Sequence, residues 1–124
     1  IASALFRGEV TVYGEKGVIR DYIHVEDLAR GILAALEKGV LGNTYNVGTG
    51  VGLDTYEVLN KIEQLLKVHG FNFQTNVQKA RPFDVSANIL NSKLLTNDTG
   101  WTPEINFNEG LSRFVNWQLE SLPH

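Results

Sequence analysis

A strand that leads directly into a helix is the feature that most constrains the fold of this chain. Residues 17–29 hold a short apolar strand that contains Arg20 and Asp21, and two acidic residues follow where a helix starts. From Val25 onward, apolar residues recur at the spacing of one helix face, at Leu28, Ala29, Ile32, Leu33 and Leu36. Lys38, which precedes a glycine, indicates the end of this helix.

Predicted strands and helices alternate along the rest of the chain as well. This order predicts an α/β fold, mostly helices with a few short strands. Strands are expected at residues 9–13, 19–24, 43–47 and, as an edge strand, 71–77. Helices are expected at residues 1–7 and 25–38, between Asp54 and Gly70, from Asn91 or Ser92 to Gly100, and from Asn108 onward. Asp54 and Glu57 have the spacing of a capping box. So few strands cannot complete a doubly wound sheet.

Composition excludes several classes of function. The 124 residues carry a net charge of −3, which does not favour nucleic-acid binding. There is no cysteine, so disulfides and cysteine-based zinc sites are excluded and a cytoplasmic location is permitted. No apolar run approaches the roughly 20 residues of a membrane span. The chain starts without Met in what reads as helix, so we expect a fragment of a longer polypeptide.

Neither the glycines nor the histidines predict a cofactor or metal site. Gly48, Gly50 and Gly52 follow a predicted strand and precede a helix, as in a dinucleotide-binding turn. Leu53 occupies the place of the third glycine of that motif, so a turn that needs conformational freedom is the favoured interpretation. The three histidines do not cluster with carboxylates at metal-ligand spacing; His24 is expected to pack on a strand, and His69 and His124 to be solvated.

Arg20 and Arg81 are the strongest candidates for ligand binding. Each lies in a strand or loop near a carboxylate, Asp21 or Asp84. A guanidinium group binds phosphate oxygens through two parallel hydrogen bonds, so two arginines from different segments suit a diphosphate. The alternative is that each arginine forms a salt bridge with the nearby carboxylate. Pro82 stiffens the backbone beside Arg81 under either interpretation.

Ordered sequence blocks over nearly the whole chain carry a resemblance to a known family. The blocks are residues 12–14, 20–29, 44–48, 81–84, 100–103 and 109–111, followed by Trp117. In this order and spacing the chain resembles the C-terminal part of nucleotide-sugar epimerases and dehydratases, which are extended short-chain dehydrogenases. The resemblance implies that residues 1–124 form the substrate-binding C-terminal domain, with an incomplete Rossmann sheet and without the NAD-binding Rossmann half.

The resemblance also implies a role for individual residues. Thr11 and Tyr13 would line the nucleotide base, largely through their backbone. Arg20 and Arg81 would face the diphosphate of a UDP- or dTDP-sugar, and Asp84 would reach a ribose hydroxyl. This chain departs from the family pattern in one place, since a bulky phenylalanine stands at position 83, where the family commonly has glycine.

The family's chemistry would depend on the other half of the enzyme. Family members transfer a hydride from the sugar to bound NAD, with a tyrosine base followed four residues later by a lysine. None of the four tyrosines here has a lysine at that spacing, so the chain is expected to hold no catalytic residue and to bind no NAD by itself. The expected partners are the nucleotide sugar, the missing Rossmann half and a second copy of the enzyme in a homodimer.

Two other interpretations remain open from the residues alone. One is a stand-alone nucleotide-binding or assembly module with no catalytic half, and the other is a regulatory domain that binds a nucleotide without a sugar. The four aromatic residues Phe107, Phe114, Trp101 and Trp117 are expected in the core rather than in a binding site. Without the Rossmann half, the strand at residues 44–47 and one apolar helix face are expected to be uncovered and to self-associate or to be poorly ordered.

Overall fold

The structure is a computed structural model that describes residues 1–121, so His124 lies outside the described part. Within these residues the helices are α1 (Ala2–Arg7), α2 (Val25–Lys38), α3 (Thr55–Val68), α4 (Lys93–Thr99) and α5 (Phe107–Glu120). The strands are β1 (Glu9–Tyr13), β2 (Ile19–Asp21), β3 (Gly52–Asp54), β4 (Gln74–Gln78) and β5 (Ala87–Asn88). The predicted fold class, α/β with mostly helices and a few short strands, is confirmed.

The chain divides into two compact units, each assembled from separate stretches of sequence. The first unit contains Ile1–Val18, Asp54–Ser86 and the chain from Asn108 on. The second unit contains Ile19–Leu53 and Ala87–Phe107. Each unit has its own small sheet, of two strands in the order β1-β4 and of three strands in the order β3-β2-β5.

An apolar core holds the first unit together. Its fully buried centre takes one residue from each of three helices, Ala4 from α1, Leu66 from α3 and Val115 from α5. Half-buried apolar side chains surround this centre: Ile1, Leu5, Val10, Ile62, Leu65, Phe71, Phe73, Leu111 and Leu119. Strands β1 and β4 lie beside this core as a parallel pair, in register from Glu9 opposite Gln74 to Tyr13 opposite Gln78.

The start of α3 was predicted correctly because its capping residues are close together in the sequence. The Asp54 carboxylate accepts a hydrogen bond from the backbone N–H of Tyr56 at 2.7 Å, and the Asp54 N–H donates to the Glu57 carboxylate at 2.9 Å. Both halves of the capping box are therefore formed, as the spacing predicts.

Among the described residues, the second unit has fewer buried apolar side chains than the first. Strands β2 and β5 pair in parallel, and α2 packs against α4. Leu95 and Trp101 are buried, and α2 approaches Trp101 closely at Gly31. A Cβ atom at Gly31 would lie only 2.6 Å from a methyl group of Val47, so glycine is required for this contact.

The apolar stripe of α2 is exposed. The exposed fractions are 80% for Leu36, 70% for Val25, 56% for Ile32, 54% for Leu33 and 37% for Leu28. The side of α2 that is buried instead carries Asp27 and Gly31. Exposure of this helix face agrees with the expectation from the sequence.

Four predicted elements differ in the structure, the first being the strand expected at residues 71–77, which is β4 and begins at Gln74. Residues 43–47 form no strand, because no described strand pairs with them, and an unpaired segment has no ladder to join. Strand β2 ends at Asp21 rather than reaching His24, because His24 caps α2 by accepting a hydrogen bond from Glu26 N–H at 3.3 Å. Helix α5 begins one residue before Asn108, whose side-chain oxygen accepts from the Lys61 ammonium at 2.9 Å.

The prediction that four aromatic residues lie in the core is only partly correct. Trp101 is 4% exposed and Phe107 is half-buried against Tyr22, but Trp117 is 57% exposed and Phe114 is 44% exposed. The last two pack on each other, with ring centroids 5.7 Å apart. Trp117 follows the buried Val115 by two residues, which turns it roughly 200° around the helix and away from the core.

Candidate functional site

Strand β1 presents two of the predicted site residues on one open face. Val12 is buried, whereas Thr11 and Tyr13, on either side of it, are exposed. Alternate residues of a strand point to opposite faces, so Thr11 and Tyr13 share the face that the core leaves open. The face lies toward the carboxyl end of β1.

Arg81 lies against Tyr13. It follows the last paired residue of β4, Gln78, by three positions, and its guanidinium carbon is 3.7 Å from the centre of the Tyr13 ring. This distance is that of a cation–π contact. In the part of the chain that the structure describes, no carboxylate forms a salt bridge with Arg81. Its contact is therefore aromatic, and the guanidinium is not paired with Asp84.

The turn around Asp84 accommodates the unusual phenylalanine. The Asp84 N–H donates to the carbonyl oxygen of Arg81 at 3.3 Å, which closes a tight turn across Pro82 and Phe83. Among the described residues, glycines alone have positive φ, so Phe83 sits in the turn without left-handed backbone strain. The Phe83 side chain is 92% exposed.

Arg20 belongs to the second unit. It lies in β2 opposite Asn88 of β5 and is half-buried. One guanidinium nitrogen donates to the carbonyl oxygen of Ile19 at 2.8 Å. Of the five predicted site residues, the structure thus brings Tyr13 and Arg81 into contact, places Thr11 and Asp84 in the same unit, and places Arg20 in the other unit.

Asp21 organises the backbone around the end of β2. Its carboxylate accepts hydrogen bonds from Thr49 N–H at 3.0 Å, Thr49 hydroxyl at 2.5 Å, Gly50 N–H at 2.9 Å and Leu90 N–H at 3.2 Å. Burial alone would raise the pKa of Asp21, but these hydrogen bonds outweigh it and lower the pKa below its usual value. Sequence reasoning considered Asp21 only as a partner for Arg20. An aspartate inside a strand is disfavoured unless its side chain is bonded, and that was the available signal.

Asp27 plays a similar part at α2, and sequence reasoning missed it. The side chain is fully buried and accepts from the backbone N–H groups of Glu104 at 3.1 Å and Ile105 at 2.9 Å. Arg30, one turn along the helix, donates to the same carboxylate and also to Glu104 at 2.9 Å. Burial alone would raise the pKa of Asp27, but the hydrogen bonds from Ile105, Arg30 and Glu104 outweigh burial and lower the pKa below its usual value.

Two glycines of the turn at residues 48–52 pack closely against side chains of the same chain. A Cβ atom at Gly48 would lie 2.6 Å from the side chain of Leu90, and one at Gly52 would lie 2.5 Å from that of Ile89. The space beside these glycines is therefore filled by the chain's own side chains. In a dinucleotide-binding turn the glycines instead leave room for the pyrophosphate. Close packing within the chain therefore accounts for Gly48 and Gly52.

Residues 1–121 contain neither a metal cluster nor a helix suited to a membrane. No group of three or more histidine, aspartate or glutamate side chains in that range has the arrangement of a metal site. None of the helices there has the length and apolar character needed to cross a membrane.

Comparison with known proteins places the chain in a family. The family described as GDP-mannose 4,6 dehydratase matches residues 1–114. UDP-glucose 4-epimerase of Caenorhabditis elegans is 34% identical over 123 residues, which cover 90% of this chain and 34% of that protein. The chain therefore belongs to the nucleotide-sugar epimerases and dehydratases of the extended short-chain dehydrogenases, and it corresponds to their C-terminal portion.

Solved structures agree with this assignment. The UDP-glucose 4-epimerase of Thermotoga maritima, crystallised with UDP-glucose, has a TM-score of 0.86 and 30% identity, covering 98% of this chain and 38% of that one. The dTDP-glucose 4,6-dehydratase of Bacillus anthracis, in complex with NAD, has a TM-score of 0.84 and 25% identity, covering 97% and 37%. The chain thus spans about a third of the length of the relatives it matches.

Proposed function

We propose that this chain is the substrate-binding portion of an NAD-dependent nucleotide-sugar epimerase or dehydratase, and that it holds the nucleoside diphosphate. Arg81 binds the diphosphate, Thr11 and Tyr13 line the base, and Asp84 accepts a ribose hydroxyl. The observation that carries the proposal is the position of Arg81 over Tyr13, at the carboxyl ends of two parallel strands. Ligands of α/β proteins bind preferentially at such strand ends.

For Arg20 the proposed role in diphosphate binding rests on the resemblance of its sequence block, Arg-Asp-Tyr-Ile-His-Val, to the corresponding block of the family. Two negatively charged phosphates are best held by cations from different segments, because each guanidinium can bind two oxygens. Binding of this remote part of the substrate orients the sugar toward the reacting groups, so it contributes to catalysis through positioning.

Calorimetric titration of UDP-glucose and dTDP-glucose into the natural polypeptide that carries this chain tests the proposal. Replacement of Arg20 or Arg81 by alanine is expected to weaken binding by about 1.5–3 kcal/mol each, the value of a charge-assisted hydrogen bond. Arg113→Ala is the matched control, because Arg113 bonds Glu109 on α5 and carries the same charge.

The proposal fails if the two arginine variants remain folded and keep wild-type affinity. A bare nucleoside diphosphate that binds far more tightly than either nucleotide sugar would instead favour a regulatory nucleotide-binding domain. Binding of neither would leave an assembly module as the better interpretation.

The proposal includes a partner for the exposed face of α2, which is an NAD-binding half of the enzyme. Leu36, Val25 and Ile32 expose more than half of their surface, and such a stripe normally packs against another element. Relatives that match this chain are almost three times as long, so they contain the residues for such a half. NAD bound to that half would be the hydride acceptor. The chain alone is expected to show no NAD binding in the micromolar range by calorimetry.

A further inference from the structure

We propose that the aromatic ring of Tyr13 is a positioning residue for Arg81, which it holds in place for an incoming diphosphate. The inference rests on the proposed function, and it gives the Tyr13 side chain a role separate from the backbone contacts of β1 with a base. The observation is the 3.7 Å distance between the Arg81 guanidinium carbon and the centre of the Tyr13 ring.

The register of the β1–β4 ladder brings the two residues together. Tyr13 is the last residue of β1 and pairs with Gln78, the last residue of β4. The ladder extends one step further, because Gly14 N–H donates to the Gln78 carbonyl at 2.9 Å. The chain therefore leaves β4 beside Tyr13, and Arg81 follows three residues later.

Gly14, which follows Tyr13, contacts α3 on one side and the segment that precedes Arg81 on the other. These contacts fix the backbone beside Tyr13. The Tyr56 hydroxyl at the start of α3 donates to the Gly14 carbonyl at 2.9 Å. On the other side, a Cβ atom at Gly14 would lie 3.2 Å from that of Ala80, the neighbour of Arg81. Gly14 also has φ of +83°, which favours glycine. Because the backbones at Gly14 and Ala80 are close, the Arg81 side chain can reach the Tyr13 ring.

The contact leaves the hydrogen-bonding capacity of Arg81 available. A guanidinium group that lies over an aromatic ring uses its flat face, while its five N–H donors point outward in its own plane. Phosphate oxygens can therefore bind without displacing the ring. A long exposed side chain loses conformational freedom when it binds a ligand, and a group that is already held loses less.

The expected size of the effect follows from the exposure of the pair. An exposed cation–π contact strengthens binding by about two- to five-fold when it is needed for the bound geometry. Tyr13→Leu should therefore weaken UDP binding by about that factor. Tyr13→Phe, which keeps the ring and removes only the hydroxyl, should bind UDP as the wild type does.

A double-mutant cycle on the natural polypeptide tests the inference, with UDP as the titrant. Tyr13→Leu is measured in the wild type and in an Arg81→Ala background. If Tyr13 acts through Arg81, the loss caused by Tyr13→Leu disappears in that background. Proton NMR supplies a second measurement, because the ring shifts the Arg81 side-chain protons upfield in the wild type and in Tyr13→Phe but not in Tyr13→Leu.

The outcomes separate the inference from the proposed function. Wild-type affinity in Tyr13→Leu, an undiminished loss in the Arg81→Ala background, or absence of the upfield shift overturns the inference alone. Absence of UDP and nucleotide-sugar binding by the wild type overturns the proposed function, while the NMR comparison still decides whether the ring holds Arg81.

Discussion

Helices α2 and α3 have the same length and a similar amphipathic pattern, yet their apolar faces end in opposite environments. Both contain 14 residues, and both begin with a capped N-terminus. In α3 the apolar face joins the core, where Leu66 is fully buried. In α2 the corresponding face is open, with Leu36 80% exposed. Amphipathic spacing thus predicts that a face will be covered, but not that the same chain covers it.

The two helices also differ in what holds them in place. Apolar contacts with α1 and α5 hold α3, whereas hydrogen bonds to the buried carboxylate of Asp27 tie α2 to residues 104–105. The first unit therefore depends on buried apolar area, and the second depends more on a few polar contacts whose geometry matters. Four experiments test this contrast.

The largest expected effect is that of deleting a buried leucine from α3. Leu66→Ala should lower the free energy of unfolding by about 2–5 kcal/mol, because it removes apolar contacts and leaves a cavity. Leu36→Ala on α2 makes the same chemical change at an exposed position and should alter it by less than about 0.5 kcal/mol. Urea unfolding followed by circular dichroism measures both. Equal losses would show that the α2 face is covered within the chain.

The next effect concerns the carboxylate that holds α2. Asp27→Asn should lower the free energy of unfolding by about 1–3 kcal/mol, because fewer acceptor sites remain for the buried N–H groups and for Arg30. Glu37→Gln, an exposed neutralisation on the same helix, is the control and should change little. Thermal unfolding of the two variants provides the measurement. If Asp27→Asn unfolds at the same temperature as the wild type, the Asp27 hydrogen bonds do not hold α2 in place.

A smaller effect is expected on association of the isolated chain. Its exposed α2 face should cause weak self-association, which Ile32→Lys should weaken by about ten-fold or more through loss of apolar burial. Val68→Lys is the control, since Val68 is 81% exposed but lies near the end of α3. Sedimentation velocity at several concentrations reports the difference. A monomer at all concentrations, with slow amide exchange in residues 44–47, would contradict the expectation.

The smallest expected effect is on the pH dependence of stability. The pKa values of Asp21 and Asp27 are lowered in the folded chain, so the folded state binds fewer protons than the unfolded state. The two carboxylates therefore add to the free energy of unfolding at pH values above their unfolded pKa, near 4. This contribution is lost as the pH falls through their lower pKa values in the folded chain. Unfolding measured from pH 6 to pH 3 should show this decline, and the Asp21→Asn/Asp27→Asn variant should show less of it. An unchanged slope would contradict the assignment.

The sequence predicted those elements whose signals are local. The capping box of α3 and the bounds of α2 depend on residues a few positions apart, and both are confirmed. The strand at residues 43–47 was predicted wrongly, because a strand needs a neighbour and sequence alternation does not report whether one exists.

The same limit applies to the candidate site. Sequence blocks identified Tyr13 and Arg81 separately, but their contact follows from the β1–β4 register, which joins segments more than 60 residues apart. The roles of Asp21 and Asp27 were missed for the same reason, since their partners at Leu90 and Ile105 lie 69 and 78 positions away.

The reach of the Asp27 contacts has a consequence for synthesis of the protein on the ribosome. Helix α2 is made early in this stretch, but the N–H groups that satisfy its buried carboxylate arrive 77 and 78 residues later. At about 5–20 residues per second, helix α2 is without these two N–H groups for several seconds, and until then only Arg30 of the same helix can bond the Asp27 carboxylate.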